Sequence, residues 1–107
     1  MNDLALIARI PNVVGAVLGD TTGVFHDAIR EADGEAVAAV TGFITTSLGE
    51  ASEQLGLGPL ARAAIAGATR ACVISVRGGT VVTIGVQPPT AVPAVERALD
   101  NFSSVRG

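Results

Sequence analysis

The sequence predicts an α/β sandwich: one small, mainly antiparallel sheet of five strands, with helices on both faces. Three observations carry that reading. Residues 33–57 form the longest periodic stretch, with apolar side chains returning every three or four positions as they do along one stripe of a helix. Two short apolar runs before it are separated by Asp20-Thr21-Thr22-Gly23, a turn signature. After it, three more runs form a meander with Gly78-Gly79 at one corner.

Taken in order, residues 2–10 read as a short amphipathic helix with Asn2 or Asp3 as cap and Leu4 and Ile7 on its apolar side. Pro11 stops it, and Asn12 tolerates a left-handed turn. Residues 13–18 show little alternation, which suits a strand covered on both faces. Residues 24–29 return as a second strand, with His26, Asp27 and Arg30 at or near its outer side. Gly56-Leu57-Gly58-Pro59 breaks the long helix. Residues 60–68 are rich in alanine and would also suit a helix, but the meander that follows favours a strand at 63–67. Strands at 71–76 and 80–86 follow, and Pro88-Pro89 ends the last. From Thr90, the residues Val92, Val95, Leu99 and Phe102 recur at helical spacing, with fraying expected over 103–107.

The long helix presents three faces. Val37, Val40, Ile44, Leu48, Ala51 and Leu55 form an apolar stripe expected to lie on the sheet. Beside it runs a row of small residues, including Ala38, Gly42, Thr45, Gly49 and Ser52. Glycine inside an exposed helix costs about 1 kcal/mol relative to alanine. Close approach of a second backbone would offset that cost, so this row is expected to meet the same helix of a second copy. The third side carries Ala39, Phe43, Thr46, Glu50 and Glu53. Residues 63–67 should form one edge of the sheet, with few charges and no proline to blunt it. Residues 24–29, the other edge, carry charges that discourage pairing. The expected homodimer interface is therefore Ala38, Gly42, Thr45, Gly49 and Ser52 on the helix with Ala63, Ala64, Ile65 and Ala66 on the edge. A tetramer built from the same surfaces is the larger alternative.

Composition narrows the function classes. At 107 residues, a single domain spanning 1–107 is expected, small enough for an oligomer interface to matter to stability. Hydrophobic residues make up 49% and the mean hydropathy is +0.52, without an unbroken run long enough for a membrane helix. The N-terminal residues lack the pattern of a secretory signal. Net charge is −3, lysine is absent and the seven arginines are scattered, so neither nucleic acid nor an anionic membrane is an expected partner. The one cysteine, Cys72, fits a cytoplasmic location.

No catalytic, cofactor or metal site is expected. A zinc site needs three or four converging ligands, and His26 is the only histidine. Cys72 sits in an apolar strand and reads as a small hydrophobe rather than half of a Cys–His nucleophile pair. Asp20 and Asp27 flank one hairpin, as a turn residue and a solvated strand residue. Gly78-Gly79 precedes a strand, so it lacks the helix N-terminus of a phosphate loop. Arg30 and Arg62, near element ends, are the residues that could reach into a nucleotide site; each reads better as solvated or ion-paired.

The run Ile10-Pro11-Asn12-Val13-Val14-Gly15-Ala16-Val17-Leu18-Gly19-Asp20, followed by Thr21-Thr22-Gly23, resembles the opening of the roadblock / dynein light chain family, with its Ile-Pro-Gly-Val start and Asp-x-x-Gly turn. Length and element order extend the likeness over the whole chain. Asn12 replaces the usual glycine, and Thr21-Thr22 replace residues that are commonly charged. The resemblance implies a roadblock / profilin-like sandwich with the long helix on one face and the terminal helices on the other. It also implies homodimers with a continuous ten-stranded sheet. For function it implies a non-catalytic regulator or scaffold of a Ras-like small GTPase, as in bacterial and archaeal members. The platform would be Ala39, Phe43, Thr46, Glu50 and Glu53. A purely structural assembly subunit is the alternative, and a small-ligand sensor near His26 is a third.

Overall fold

The computed structural model describes the backbone of residues 3–106 and the side chains of residues 4–101. The Asn2 or Asp3 cap and the Phe102 side chain lie outside the described residues. Helix α1 (Asp3–Ile7) is followed by the hairpin β1 (Val13–Asp20) and β2 (Phe25–Ile29). The long helix α2 (Gly34–Gln54) comes next, then the meander β3 (Arg62–Ala66), β4 (Ala71–Arg77) and β5 (Thr80–Val86). A 3₁₀ turn at Pro89–Ala91 leads into α3 (Val92–Arg106). The strands form one antiparallel sheet in the order β2-β1-β5-β4-β3. This is the predicted five-stranded sandwich, with β2 and β3 at its edges.

Local chemistry sets the boundaries. Helix α1 ends three residues earlier than expected, because Asn12 takes a left-handed φ of 74° and turns the chain into β1. Gly78 and Gly79 both have positive φ, as a tight hairpin requires. Helix α2 ends where Gly56 adopts φ 75° and the Leu57 amide donates back to the Ser52 carbonyl, 2.9 Å. The Ser52 hydroxyl then donates to the Gly58 carbonyl, 2.6 Å, and fixes the following loop. Helix α3 continues to Arg106, through residues expected to fray.

The two faces of the sheet differ in side-chain size. Cross-strand partners share a face, and one face carries the rows Ala64–Val73–Ile84–Ala16 and Ala66–Ala71–Val86–Val13. Leu4 and Ile7 of α1 and Val95 and Leu99 of α3 cover the inner part of this face and complete the main core. The other face carries Ile65–Cys72–Gly85–Gly15, Ala63–Ile74–Thr83–Val17 and Val76–Val81–Gly19. Its β1 and β5 rows are floored by glycine, valine and threonine, so a helix can lie close to them.

That floor corrects the expected orientation of α2. The small-residue row, and not the Val-Ile-Leu stripe, rests on the chain's own sheet: Ala38, Thr41, Gly42, Thr45 and Ser52 are buried. A Cβ at Gly42 would stand 2.6 Å from the Gly23 backbone. The backbone that approaches this glycine belongs to the β1–β2 turn of the same chain. The buried hydroxyls are satisfied within the helix, Thr41 donating to Val37 (2.9 Å) and Thr45 to Gly42 (3.0 Å). Ala38, Gly42, Thr45 and Ser52 are thereby removed from the expected dimer surface. The stripe is rotated outward, with Val40, Leu48 and Leu55 exposed.

Candidate functional site

Helix α2 lies over β1, β2 and β5 and leaves β3 and the Cys72 end of β4 open on that face. The result is an apolar groove of about 520 Å³. Val37, Val40 and Ile44 form its helical wall, and Cys72 and Ile65 form its floor toward the sheet edge. Arg70 reaches across one end. Its guanidinium lies where a side chain on Gly85 would stand, 3.9 Å from the Glu31 carboxylate. Burial raises the Cys72 thiol above its ordinary pKa, so it stays protonated at neutral pH and nucleophilically quiet.

The opposite flank of α2 borders a shallower cleft of about 400 Å³, where Thr46, Glu50 and Glu53 line up with Gly49 and Leu60. Phe43 stands between the two flanks on the crest of the helix, 73% exposed, and Ala39 is exposed one turn before it. The residues expected to meet a partner are thus together on the outer surface of α2. Of those expected at a dimer interface, Ala64, Ile65 and Ala66 are exposed on the edge strand and Ala63 is half-buried. Gly49 is half-buried on the cleft flank, facing away from the groove.

The other candidates have structural duties. His26 Nε2 lies 2.9 Å from Asp20 Oδ2. The same carboxylate accepts from the Thr22 hydroxyl and from the amides of Thr22 (2.9 Å) and Val24 (3.2 Å). The Thr22 hydroxyl, then His26 and the Val24 amide, hold Asp20 well below the usual carboxylate range. This locks the turn that carries Gly23 beneath α2. Asp27 accepts from the Ala28 amide, 2.8 Å. His26 and Cys72 lie on strands three places apart in the sheet, about 14 Å by strand spacing, and do not form a nucleophile pair. Arg30 has a left-handed backbone, φ 54°, and donates to the carbonyls of Ala8 (2.7 Å) and Val13 (3.4 Å), tying α1 to the sheet. Arg62 pairs with Asp100 of α3 at 2.9 Å. Among the described residues no three His, Cys, Asp or Glu side chains converge as metal ligands, and no helix is long and apolar enough to cross a membrane.

The groove was not anticipated. Its signal in the sequence is the spacing Gly15-x-Val17-x-Gly19 and Thr83-x-Gly85, small residues on alternate positions of two central strands. These let α2 settle low and to one side.

No family model matches the sequence, and no curated protein matches it. Solved structures do. MglB of Myxococcus xanthus aligns with a TM-score of 0.80 at 16% identity, over 92% of this chain and 84% of that one. A Roadblock/LC7 domain from Streptomyces avermitilis aligns at 0.72 and 14% identity, over 94% and 92%. The gliding protein MglB from Thermus thermophilus aligns at 0.74 and 12% identity, over 89% and 78%. Sheet order, helix placement and these superpositions agree: the chain has the roadblock/LC7 fold.

Proposed function

We propose that the protein is a homodimeric, non-catalytic module that binds and regulates a Ras-like small GTPase. One observation supports this most: the long helix leaves two separate surfaces open, an apolar flank beside a free sheet edge and an outer ridge carrying Phe43. The first suits a second copy. The second remains available to another protein once the copies have joined. The choice of a small GTPase as partner rests on the family resemblance of the sequence, with the shared fold as support, and geometry alone does not name it.

Arg30 and Arg62 are held within the chain, so regulation would proceed by positioning the GTPase's own loops. The same observation favours the second reading, a scaffold that binds without altering hydrolysis. The test is a pull-down from native cytosol followed by single-turnover GTP hydrolysis with any small GTPase recovered. Regulation predicts binding and faster hydrolysis, and a scaffold predicts binding at an unchanged rate. Failure to bind any small GTPase would overturn both. Phe43→Asp should abolish the complex while leaving dimer and fold intact, and undiminished binding would remove the ridge from the account.

A further inference from the structure

We infer that the Asp27 carboxylate closes the outer edge of β2, by holding the main-chain donor that a further strand would need there. In saying where association stops, this rests on the homodimer proposed above. Copies join elsewhere, and β2 ends the sheet instead of letting it grow into an open-ended array.

The hairpin fixes which way each amide points. The Asp20 amide donates to the Val24 carbonyl, 3.2 Å, so Asp20 turns its main-chain groups toward β2. Strand β1 runs in regular register against β5 from Gly15 to Asp20, and such groups alternate along a strand. Leu18 and Ala16 therefore face β2 as well, and their partners Asp27 and Ile29 face back toward β1. Ala28, opposite Val17, is left directing its N–H and C=O away from the sheet.

That outward N–H is already taken. Asp27 Oδ1 accepts it at 2.8 Å. A hydrogen bond to an ionised carboxylate is about twice as strong as one between neutral groups, so the carbonyl of an arriving strand is a poor replacement. Neither neighbouring stretch offers a regular ladder instead. On one side the register shifts opposite His26. On the other, Arg30 has a left-handed φ of 54°, with its guanidinium anchored on the carbonyls of Ala8 and Val13. The opposite edge of the sheet differs. The Val76 amide donates across to the Ala61 carbonyl, 2.9 Å, and the same alternation turns Ala64 of β3 outward. Its neighbours Ala63 and Ile65 carry no side-chain acceptor to cover its amide.

Sedimentation of the full chain tests the closure, with circular dichroism to check that each variant folds. Asp27→Val removes the acceptor and suits a strand. Its weight-average mass should rise with concentration and reach at least double that of the unchanged protein. Asp27→Asn removes the charge but keeps an oxygen that can accept from Ala28, and should sediment as the unchanged protein does. Adding Ala28→Pro to Asp27→Val deletes the N–H itself, a change that an edge strand tolerates, and should bring the mass back. Should the valine chain fail to fold, Asp27→Ala carries the same expectation. A folded Asp27→Val chain that sediments like the unchanged protein would overturn the closure. So would an asparagine variant that assembles as readily as the valine one, or a double variant that stays assembled. An unchanged protein that sediments as a single chain would overturn the homodimer, while enlargement of the valine variant alone would still uphold the part assigned to Asp27.

Discussion

The two faces of the sheet use the same five strands and reach opposite ends. Beneath α1 and α3, Val73, Ile84 and Val86 are fully buried, with Val95 of α3 upon them, and the central face is closed. Beneath α2, the central floor is built from Gly15, Gly19, Thr83 and Gly85, and one side remains open as a groove. Large residues fill space within the chain on the first face, as Val17, Ile74 and Val81 do in part of the second. Small residues on the second bring a backbone close, and the helix that fits there turns its own large residues outward. The first face is closed by its own helices, and the second keeps an open flank available for association.

The contrast can be broken by substitution, measured by urea denaturation at fixed low concentration so that association does not obscure the result. Ile84→Ala, on the closed face, should cost about 2–5 kcal/mol, as large core truncations do. A cost below about 1 kcal/mol would mean that this face is not the core. Gly42→Val should cost about 1–3 kcal/mol, because added atoms meet the Gly23 backbone and neither chain segment can yield cheaply. Gly49 sharpens the point, since nothing stands within 4 Å of a Cβ placed there. Gly49→Ala should stabilise the chain by up to about 1 kcal/mol through helix propensity alone. If both glycine substitutions moved stability the same way, close packing would not be what distinguishes them.

The smallest effect concerns the turn beneath α2. Asp20 has a folded-state pKa depressed below its unfolded value, so its contribution is present above the unfolded carboxylate pKa near 4 and fades as pH falls toward the folded one. The difference in melting temperature between the unchanged protein and Asp20→Asn should therefore be present at pH 5 and shrink below pH 4. A difference independent of pH would show that the turn does not depend on the ionised form.

Much of this fold was legible in the sequence because turn chemistry is local. Asp20 through Gly23, Gly78-Gly79 and Pro88-Pro89 fix where strands begin and end, and the order of the meander marks β3 as an edge with few charges to blunt it. The orientation of α2 was not legible. Periodicity shows which residues share a side of a helix, but not what covers each side, and a glycine row fits a backbone from either chain. The small residues Gly15, Gly19, Thr83 and Gly85 of β1 and β5 favour the small-residue row, since they let the helix backbone settle low on the sheet. Of the candidate site, Phe43 was identifiable because an aromatic among Ala39, Thr46 and Glu50 has no place in a core. The groove was hidden because it arises from a sideways offset between helix and sheet.

Hydrogen exchange along the two edge strands tests most directly whether the open side is where copies join. The outward amides of β3 should exchange slowly at high protein concentration and progressively faster on dilution, while those of β2 exchange fast throughout. Equal and concentration-independent exchange at both edges would contradict the account.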